Sequence, residues 1–182
     1  MSSSIELSSQ RLDELRGAIR DVPDFPKPGI IFKDITPLLA DGRKFHEACD
    51  RMAAPFADQG IGLVAAIESR GFILGGPIAT ALGVGIVPIR KIGKLPYETR
   101  RVTYALEYGS DALEVHIDAC ADRGKVLVVD DVLATGGTAV AACELIESVG
   151  GEVAGCSFLL ALGFLNGEQR LAGRRIESVL RY

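Results

Sequence analysis

Two adjacent carboxylates followed by a glycine- and threonine-rich turn stand at Asp130-Asp131-Val-Leu-Ala134-Thr135-Gly136-Gly137-Thr138, directly after the apolar run Val126-Leu-Val-Val129. The run reads as a buried strand, and apolar residues at Val140, Leu145, Ile146 and Val149 continue the turn as a helix. Consecutive amides in such a strand-to-helix turn form a nest for an anion. The helix dipole adds partial positive charge, and the threonines add hydroxyl donors. A phosphate fits that chemistry, while the paired acids can accept hydrogen bonds from the vicinal hydroxyls of a ribose. A Walker A loop is excluded because no Gly-Lys-Ser/Thr is present, and no Gly-x-Gly-x-x-Gly follows a strand.

Glu68-Ser69-Arg70-Gly71, after the apolar run Leu63–Ile67, is a second candidate. The planar fork of Arg70 suits phosphate oxygens, and Gly71 opens a helix whose amides can face an anion. Alone it would read as an exposed arginine at a helix start; beside the first motif it reads as a second anion site. The third candidate is Arg90-Lys91-Ile-Gly-Lys94-Leu-Pro-Tyr97-Glu-Thr-Arg100-Arg101, with five basic residues and one acid in a chain of net charge −4. Such a run is commonly a solvated face. Here it lies in a Gly- and Pro-containing loop between strand patterns, which suits a mobile lid over an anionic substrate. His46 and His116 fall on a helix and a strand pattern away from these motifs and read as surface or structural. No zinc-ligand spacing and no nucleophile elbow occur.

The elements that must position these groups follow from the apolar spacing. Ile5, Leu7, Leu12, Leu15 and Ile19 predict an opening helix that stops near Val22-Pro23, and the prolines of Asp24–Gly29 forbid regular structure. Ile30-Ile31-Phe32 is too apolar for a free tether and is expected to pack on the body. Phe45, Cys49, Met52 and Phe56 mark a helix opening near Asp41-Gly42, and Ile73, Ile78 and Leu82 mark another. Further strands are expected at 63–67, at 85–89 (weakened by Pro88), at 103–108 and 113–117 as a hairpin around Gly109-Ser110-Asp111, at 126–129 ending in Asp130-Asp131, and at 153–162. The alternation is that of an α/β fold with a mostly parallel central sheet and flanking helices. Ligands then sit beyond the carboxyl ends of the strands.

Composition bounds the classes. With 182 residues, 48% hydrophobic and 24% charged, the chain reads as a compact domain, and a net charge of −4 argues against a general nucleic-acid binder. No run approaches the roughly 18 apolar residues of a membrane helix, and MSSSIELSSQ lacks the features of a secretory signal. Four scattered cysteines (Cys49, Cys120, Cys143, Cys156) read as reduced, buried thiols of a cytoplasmic protein.

The Asp130–Thr138 segment resembles the phosphoribosyl-pyrophosphate (PRPP) loop of the type I phosphoribosyltransferases. Together with Arg90-Lys-x-Gly-Lys94-Leu-Pro, Leu106-Glu107-Tyr108-Gly109 and Phe25-Pro26-x-Pro28-Gly29-Ile-Ile31-Phe32-x-Asp34-Ile-Thr-Pro37-Leu, it is similar to the adenine phosphoribosyltransferase family, in register from about Phe25 to Leu171. The resemblance implies one phosphoribosyltransferase domain over 1–182, with a small N-terminal hood at about 22–38 and a mobile lid loop at about 90–108. It implies conversion of adenine and PRPP to AMP and pyrophosphate in purine salvage. In the family pattern PRPP and AMP would be held by Asp130, Asp131, Ala134, Thr135, Gly136, Gly137 and Thr138. Pyrophosphate would meet Ser69, Arg70, Arg90, Lys91, Lys94 and Tyr108. Adenine would stack on Phe32 and be read by main-chain groups of Ile31 and Lys33, with Glu107 and Arg70 as the catalytic residues. Magnesium would arrive on the pyrophosphate oxygens of PRPP with no metal site of the chain's own. A homodimer is implied, with no nucleic-acid or membrane partner.

In the 6-oxopurine enzymes of this superfamily an aspartate typically holds the place of Ala134, so Ala134 favours adenine and leaves Glu107 to serve the purine N7. Two alternatives stay open: a phosphoribosyltransferase for another base (orotate, uracil or xanthine), and a non-catalytic PRPP-sensing regulator. The regulator would need an appended helix-turn-helix or a basic face, for which 182 residues at net −4 leave little room.

Overall fold

The computed structural model describes residues 2–105 and 110–182, and backbone contacts divide the chain into two compact units, one ending at Cys49 and one beginning at Asp50. The first unit holds α1 (Ser2–Arg16), β1 (Arg20–Pro23), β2 (Ile31–Asp34), α2 (Thr36–Ala40) and most of α3 (Gly42–Ala53). The opening helix stops earlier than its apolar spacing predicts. After Arg16 the chain turns into β1, which pairs antiparallel with β2 from Arg20↔Asp34 to Pro23↔Ile31. Cross-strand ion pairs Arg20–Asp34 and Lys33–Asp21, both 2.6 Å, favour this ribbon over one more helical turn. Between the strands Asp24 and Gly29 have positive φ, and the Gly29 amide donates to Asp24 Oδ1 at 2.7 Å, an irregular connection as the prolines demand. The expected packing of Ile30-Ile31 is not found: both are exposed, Ile31 at 55%. Along β2 only Ile31 is exposed, while Phe32, Lys33 and Asp34 are half-buried.

The second unit is built on a seven-stranded sheet in the order β5-β6-β4-β3-β7-β8-β9. Its strands are β3 (Ile61–Ile67), β4 (Gly85–Lys91), β5 (Thr99–Ala105), β6 (Ser110–His116), β7 (Lys125–Leu133), β8 (Glu152–Ala161) and β9 (Ile176–Arg181). β4, β3, β7, β8 and β9 run parallel, and β5–β6 is an antiparallel hairpin joined to β4 through Arg90↔Glu114 and Lys91↔Leu113. The mostly parallel sheet expected from sequence is therefore present. Leu63–Ile67 and Val126–Val129 are fully buried, as a strand covered on both faces requires. Among the described residues the unit also holds the α-helices α4 (Arg70–Leu82), α5 (Gly137–Ser148) and the short α6 (Gly167–Arg170), the end of α3, and single 3-10 turns at Ala54–Phe56 and Gly163–Leu165. Gly75 lets α4 lie close on the sheet, since a Cβ there would stand 2.7 Å from that of Ala66.

Several boundaries shift. Pro88 interrupts nothing, because β6 covers only Arg90 and Lys91 and leaves this half of β4 with an open edge. β5 begins four residues and β6 three residues before the segments expected, so Ser110 and Asp111 are strand, and residues 106–109 lie outside the described residues. β9 was not anticipated; its charged surroundings, Arg174, Arg175, Glu177 and Arg181, hide the alternation. β7 does not end at Asp130-Asp131 but runs on to Leu133, paired with β8 as far as Leu133↔Ala161. Its last pair with β3 is Ala66↔Val129. The two acids thus sit just where one neighbouring strand stops, in a notch at the carboxyl end of the sheet.

Candidate active site

The notch is closed on the β3 side by the first turn of α4. A Cβ on Gly71 would lie 3.0 Å from both Asp130 Oδ1 and the Val129 carbonyl, so only glycine lets the helix start this close to β7. Arg70, the first residue of α4, donates through Nε to Asp131 Oδ2 in a short ion pair. Asp131 is buried, and its own amide donates to Asp130 Oδ1 at 2.9 Å. Burial, followed by the neighbouring charge of Asp131, raises the Asp130 carboxyl well above its ordinary value. The notch therefore pairs one carboxylate held by a cation with one whose charge is unfavourable until a ligand donates hydrogen bonds to it.

That asymmetry has a stability signature. The folded-state value of Asp130 lies above the ordinary 3.8, so the folded chain binds the extra proton more tightly than the unfolded one. The favourable contribution is full below 3.8 and is lost as pH rises through the folded-state value. Asp130→Asn is expected to flatten this dependence, gaining stability relative to the parent as pH rises. Urea unfolding from pH 4 to 8 checks it; parallel curves for the two proteins would contradict the assignment.

Beyond Leu133 the chain forms the turn Ala134–Gly136 and enters α5 at Gly137, with Gly136 at φ +83°. The turn is pressed against Gly167: a Cβ on Gly136 would meet the Gly167 carbonyl oxygen at 2.5 Å, and one on Gly167 would meet that of Ala134 at 2.1 Å. A cavity of about 70 Å³, lined by Asp130, Ala134, Thr135, Gly136 and Thr138 among others, opens over the α5 N-terminus. Backbone amides, two threonine hydroxyls and a helix start around a small polar cavity are groups that could hold an anion.

Residues 38–172 match the family profile of the phosphoribosyl transferase domain. The chain belongs to this family. Over 171 residues it is 54% identical to the adenine phosphoribosyltransferase of Methylococcus capsulatus, covering 94% of this chain and 100% of that one. It is similar in structure to the adenine phosphoribosyltransferase of Rhodothermus marinus, with a TM-score of 0.91, 51% identity, and 96% and 99% of the two chains covered. The Saccharomyces cerevisiae enzyme, solved with an imino-altritol bisphosphate and adenine, matches with a TM-score of 0.88 at 37% identity over 94% and 99% of the two chains. Within the phosphoribosyltransferases, the chain is a member of the adenine phosphoribosyltransferase branch, a group of transferases.

The other residues singled out from this phosphoribosyltransferase's sequence are distributed as follows. Ser69 precedes α4 and is exposed. Arg90 donates to Glu68 Oε2 at 3.2 Å, and the Lys91 amide donates to the same oxygen at 3.0 Å, fastening the end of β4 beside the Ser69-Arg70 turn. Burial would raise the Glu68 carboxyl, but these two donors outweigh it and hold the group below its usual range. The Lys91 ammonium donates to Asp111 and Tyr104. Lys94 is exposed and offers its carbonyl to Arg90 at 3.0 Å. Ile31, Phe32 and Lys33 lie on β2 in the first unit, where the Phe32 ring meets Phe25 edge-on at 5.2 Å. Glu107 and Tyr108 lie outside the described residues. His46 is exposed on α3, and His116 on β6 stands edge-on to Tyr97 at 5.9 Å.

Sequence reasoning passed over Asp111, Glu114 and Gly167. An isolated acid in an alternating strand, or a lone glycine after one, carries no motif. Among the described residues no group of three or more His, Cys, Asp or Glu side chains could hold a metal ion. Asp131 is committed to Arg70 and Asp130 resists ionisation, a donor set that suits a cation arriving already bound to phosphate oxygens better than a bare ion.

Proposed function

We propose that the chain converts adenine and PRPP to AMP and pyrophosphate, the salvage of a free purine. The observation that carries this reading is the notch itself, in which an anion-binding turn, two adjacent acids and an arginine converge within one β-α-β layer. In it the 5′-phosphate lies on the Ala134–Thr138 amides, and the ribose hydroxyls donate to Asp130 and Asp131. Pyrophosphate points toward Ser69 and Arg70, with Arg90 and Lys94 as further cations. Lys91 would join them by exchanging Asp111 for a phosphate oxygen.

Adenine N9 forms a bond to the anomeric carbon while the bond to pyrophosphate breaks, and the leaving oxygen keeps the electron pair. Positive charge develops on the ribose, so catalysis is positioning plus stabilisation of the leaving group. The base must shed one proton, and Glu107 is the group proposed to accept or relay it at N7. Magnesium, bound to pyrophosphate oxygens, would supply further neutralisation of the leaving group. Phe32 would give adenine a stacking face, with main-chain groups of Ile31 and Lys33 reading its edge. The hood at 22–38 and the lid at 90–108 are proposed to act within one functional domain; the lid is not the continuous loop expected, since Thr99–Ala105 is strand β5, and 106–109 lie outside the described residues.

A homodimer in the cytoplasm is proposed on the family resemblance, and the four buried, unbridged thiols suit a reducing compartment. No helix among the described residues is long and apolar enough to cross a membrane.

Nucleotide formation from PRPP with adenine, hypoxanthine, xanthine, orotate and uracil tests the proposal. Adenine should be used in strong preference, and equal turnover of hypoxanthine would overturn the specificity argument from Ala134. Phe32→Ala should weaken adenine binding by about 1–3 kcal/mol, typical of base–aromatic stacking, with the KM for PRPP unchanged.

A further inference from the structure

Glu114 is a carboxylate with no exposed surface, on β6 between the buried Leu113 and Val115. Its place follows from topology. β4 and β5 are consecutive in the chain but not adjacent in the sheet, because β6 lies between them. Residues 92–98 must therefore cross over β6, and backbone amides in that crossing have no ladder to join. Glu114 faces Arg90 across one ladder and Arg101 across the other. Its Oε1 accepts the amides of Lys94 at 2.9 Å and Leu95 at 3.0 Å. Its Oε2 accepts the Thr99 hydroxyl at 3.3 Å and lies 3.2 Å from Arg101 Nε.

The crossing it holds carries Lys94, one of the cations proposed for the site. The Lys94 backbone fixed by Glu114 in turn accepts Arg90 Nη1 at 3.0 Å, and Arg90 Nε reaches Glu68 beside the Ser69-Arg70 turn. A continuous set of contacts thus runs from Glu114 through the Lys94 backbone and Arg90 to the pyrophosphate side of the notch. We propose that Glu114 is a positioning residue for PRPP, setting where Arg90 and Lys94 stand while touching no substrate itself; this rests on the function proposed above. Burying a carboxylate merely to tie a loop would be an expensive choice, whereas one oxygen shared by two successive amides fixes a backbone to a small tolerance.

Steady-state kinetics and a PRPP binding titration on the full chain test it, using Glu114→Ala, Glu114→Gln and Lys94→Ala. Glu114→Ala should raise the KM for PRPP about tenfold, the effect of leaving half-buried donors unpaired, with the KM for adenine within about twofold. Glu114→Gln keeps an oxygen for the two amides but turns an NH2 group toward Arg101, so its rise should be about threefold, a partial rescue. Lys94→Ala should raise the same constant. A purely structural role gives another pattern: a smaller active fraction lowers kcat and leaves every KM and the titrated PRPP affinity unchanged.

If Lys94→Ala weakens PRPP while both Glu114 variants bind it normally, the inference is overturned and the proposed function stands. If the unsubstituted chain neither binds PRPP nor forms AMP, the function itself fails. Should Glu114→Ala not fold, Glu114→Gln decides, and a parental KM for PRPP in that variant overturns the inference.

Discussion

Arg70→Ala is expected to weaken PRPP binding by at least about thirtyfold, more than the loss of one surface cation would. The guanidinium pairs with a buried acid that has a second acid as its sequence neighbour. Truncation removes a donor for pyrophosphate and also leaves the buried Asp131 carboxylate without its cation, facing the incoming phosphates. Breaking one partner of a desolvated charge pair costs about 2–5 kcal/mol. The Arg70 side chain is 45% exposed, so solvent screening places the effect at the low end, about 2 kcal/mol, or thirtyfold. Arg70→Lys should recover only part, since an ammonium restores charge without the fork. Calorimetric titration with PRPP reads the effect directly, and parental affinity in Arg70→Ala would remove this residue from the site.

Gly167→Ala is expected to lower kcat/KM by about a hundredfold, although the residue carries no functional group. Its methyl would stand 2.1 Å from the Ala134 carbonyl oxygen and 2.9 Å from the Gly136 nitrogen, and neither is the end of a flexible side chain. The phosphate turn must move, and a displacement of order 1 Å at a reacting centre typically costs about a hundredfold. Overpacking should also lower stability by about 1–3 kcal/mol. Gly173→Ala separates the two effects. Gly173 has φ +85° but open space around its would-be Cβ, so that variant should lose stability and keep its kinetics. Parental kcat/KM in Gly167→Ala would mean that the turn does not need this contact.

The part of the site written in consecutive residues was legible before any coordinates. An apolar run, two acids and Ala-Thr-Gly-Gly-Thr occur together because one strand, one turn and one helix start must be made from neighbouring residues. The parallel sheet was legible for the same reason, each strand-turn-helix unit being local. Contacts between distant segments left no such trace. Gly167 matters through a close approach of two backbones about thirty residues apart, and a lone glycine can mean many things. Glu114 sits between Leu113 and Val115, where a polar residue would ordinarily face water, and only the crossing of 92–98 buries it. Lys91 reads as a ligand for phosphate until Asp111, brought opposite by the β5–β6 hairpin, claims its ammonium. Main-chain readers such as those implied at Ile31 and Lys33 leave no side-chain signature at all.

The burial of all four cysteines bears on how the molecule can be watched opening. Cys143 on α5 and Cys156 on β8 lie with their sulfurs 3.5 Å apart and wholly enclosed, whereas Cys120 follows β6 in the turns that lead to β7. An enclosed thiol meets an alkylating reagent only from a conformation that has opened around it. Labelling at Cys143 and Cys156 therefore registers the rare disruption of the sheet–helix interior, and labelling at Cys120 registers smaller excursions nearer the surface. The chain carries its own pair of clocks, and mass spectrometry can read both without adding a probe.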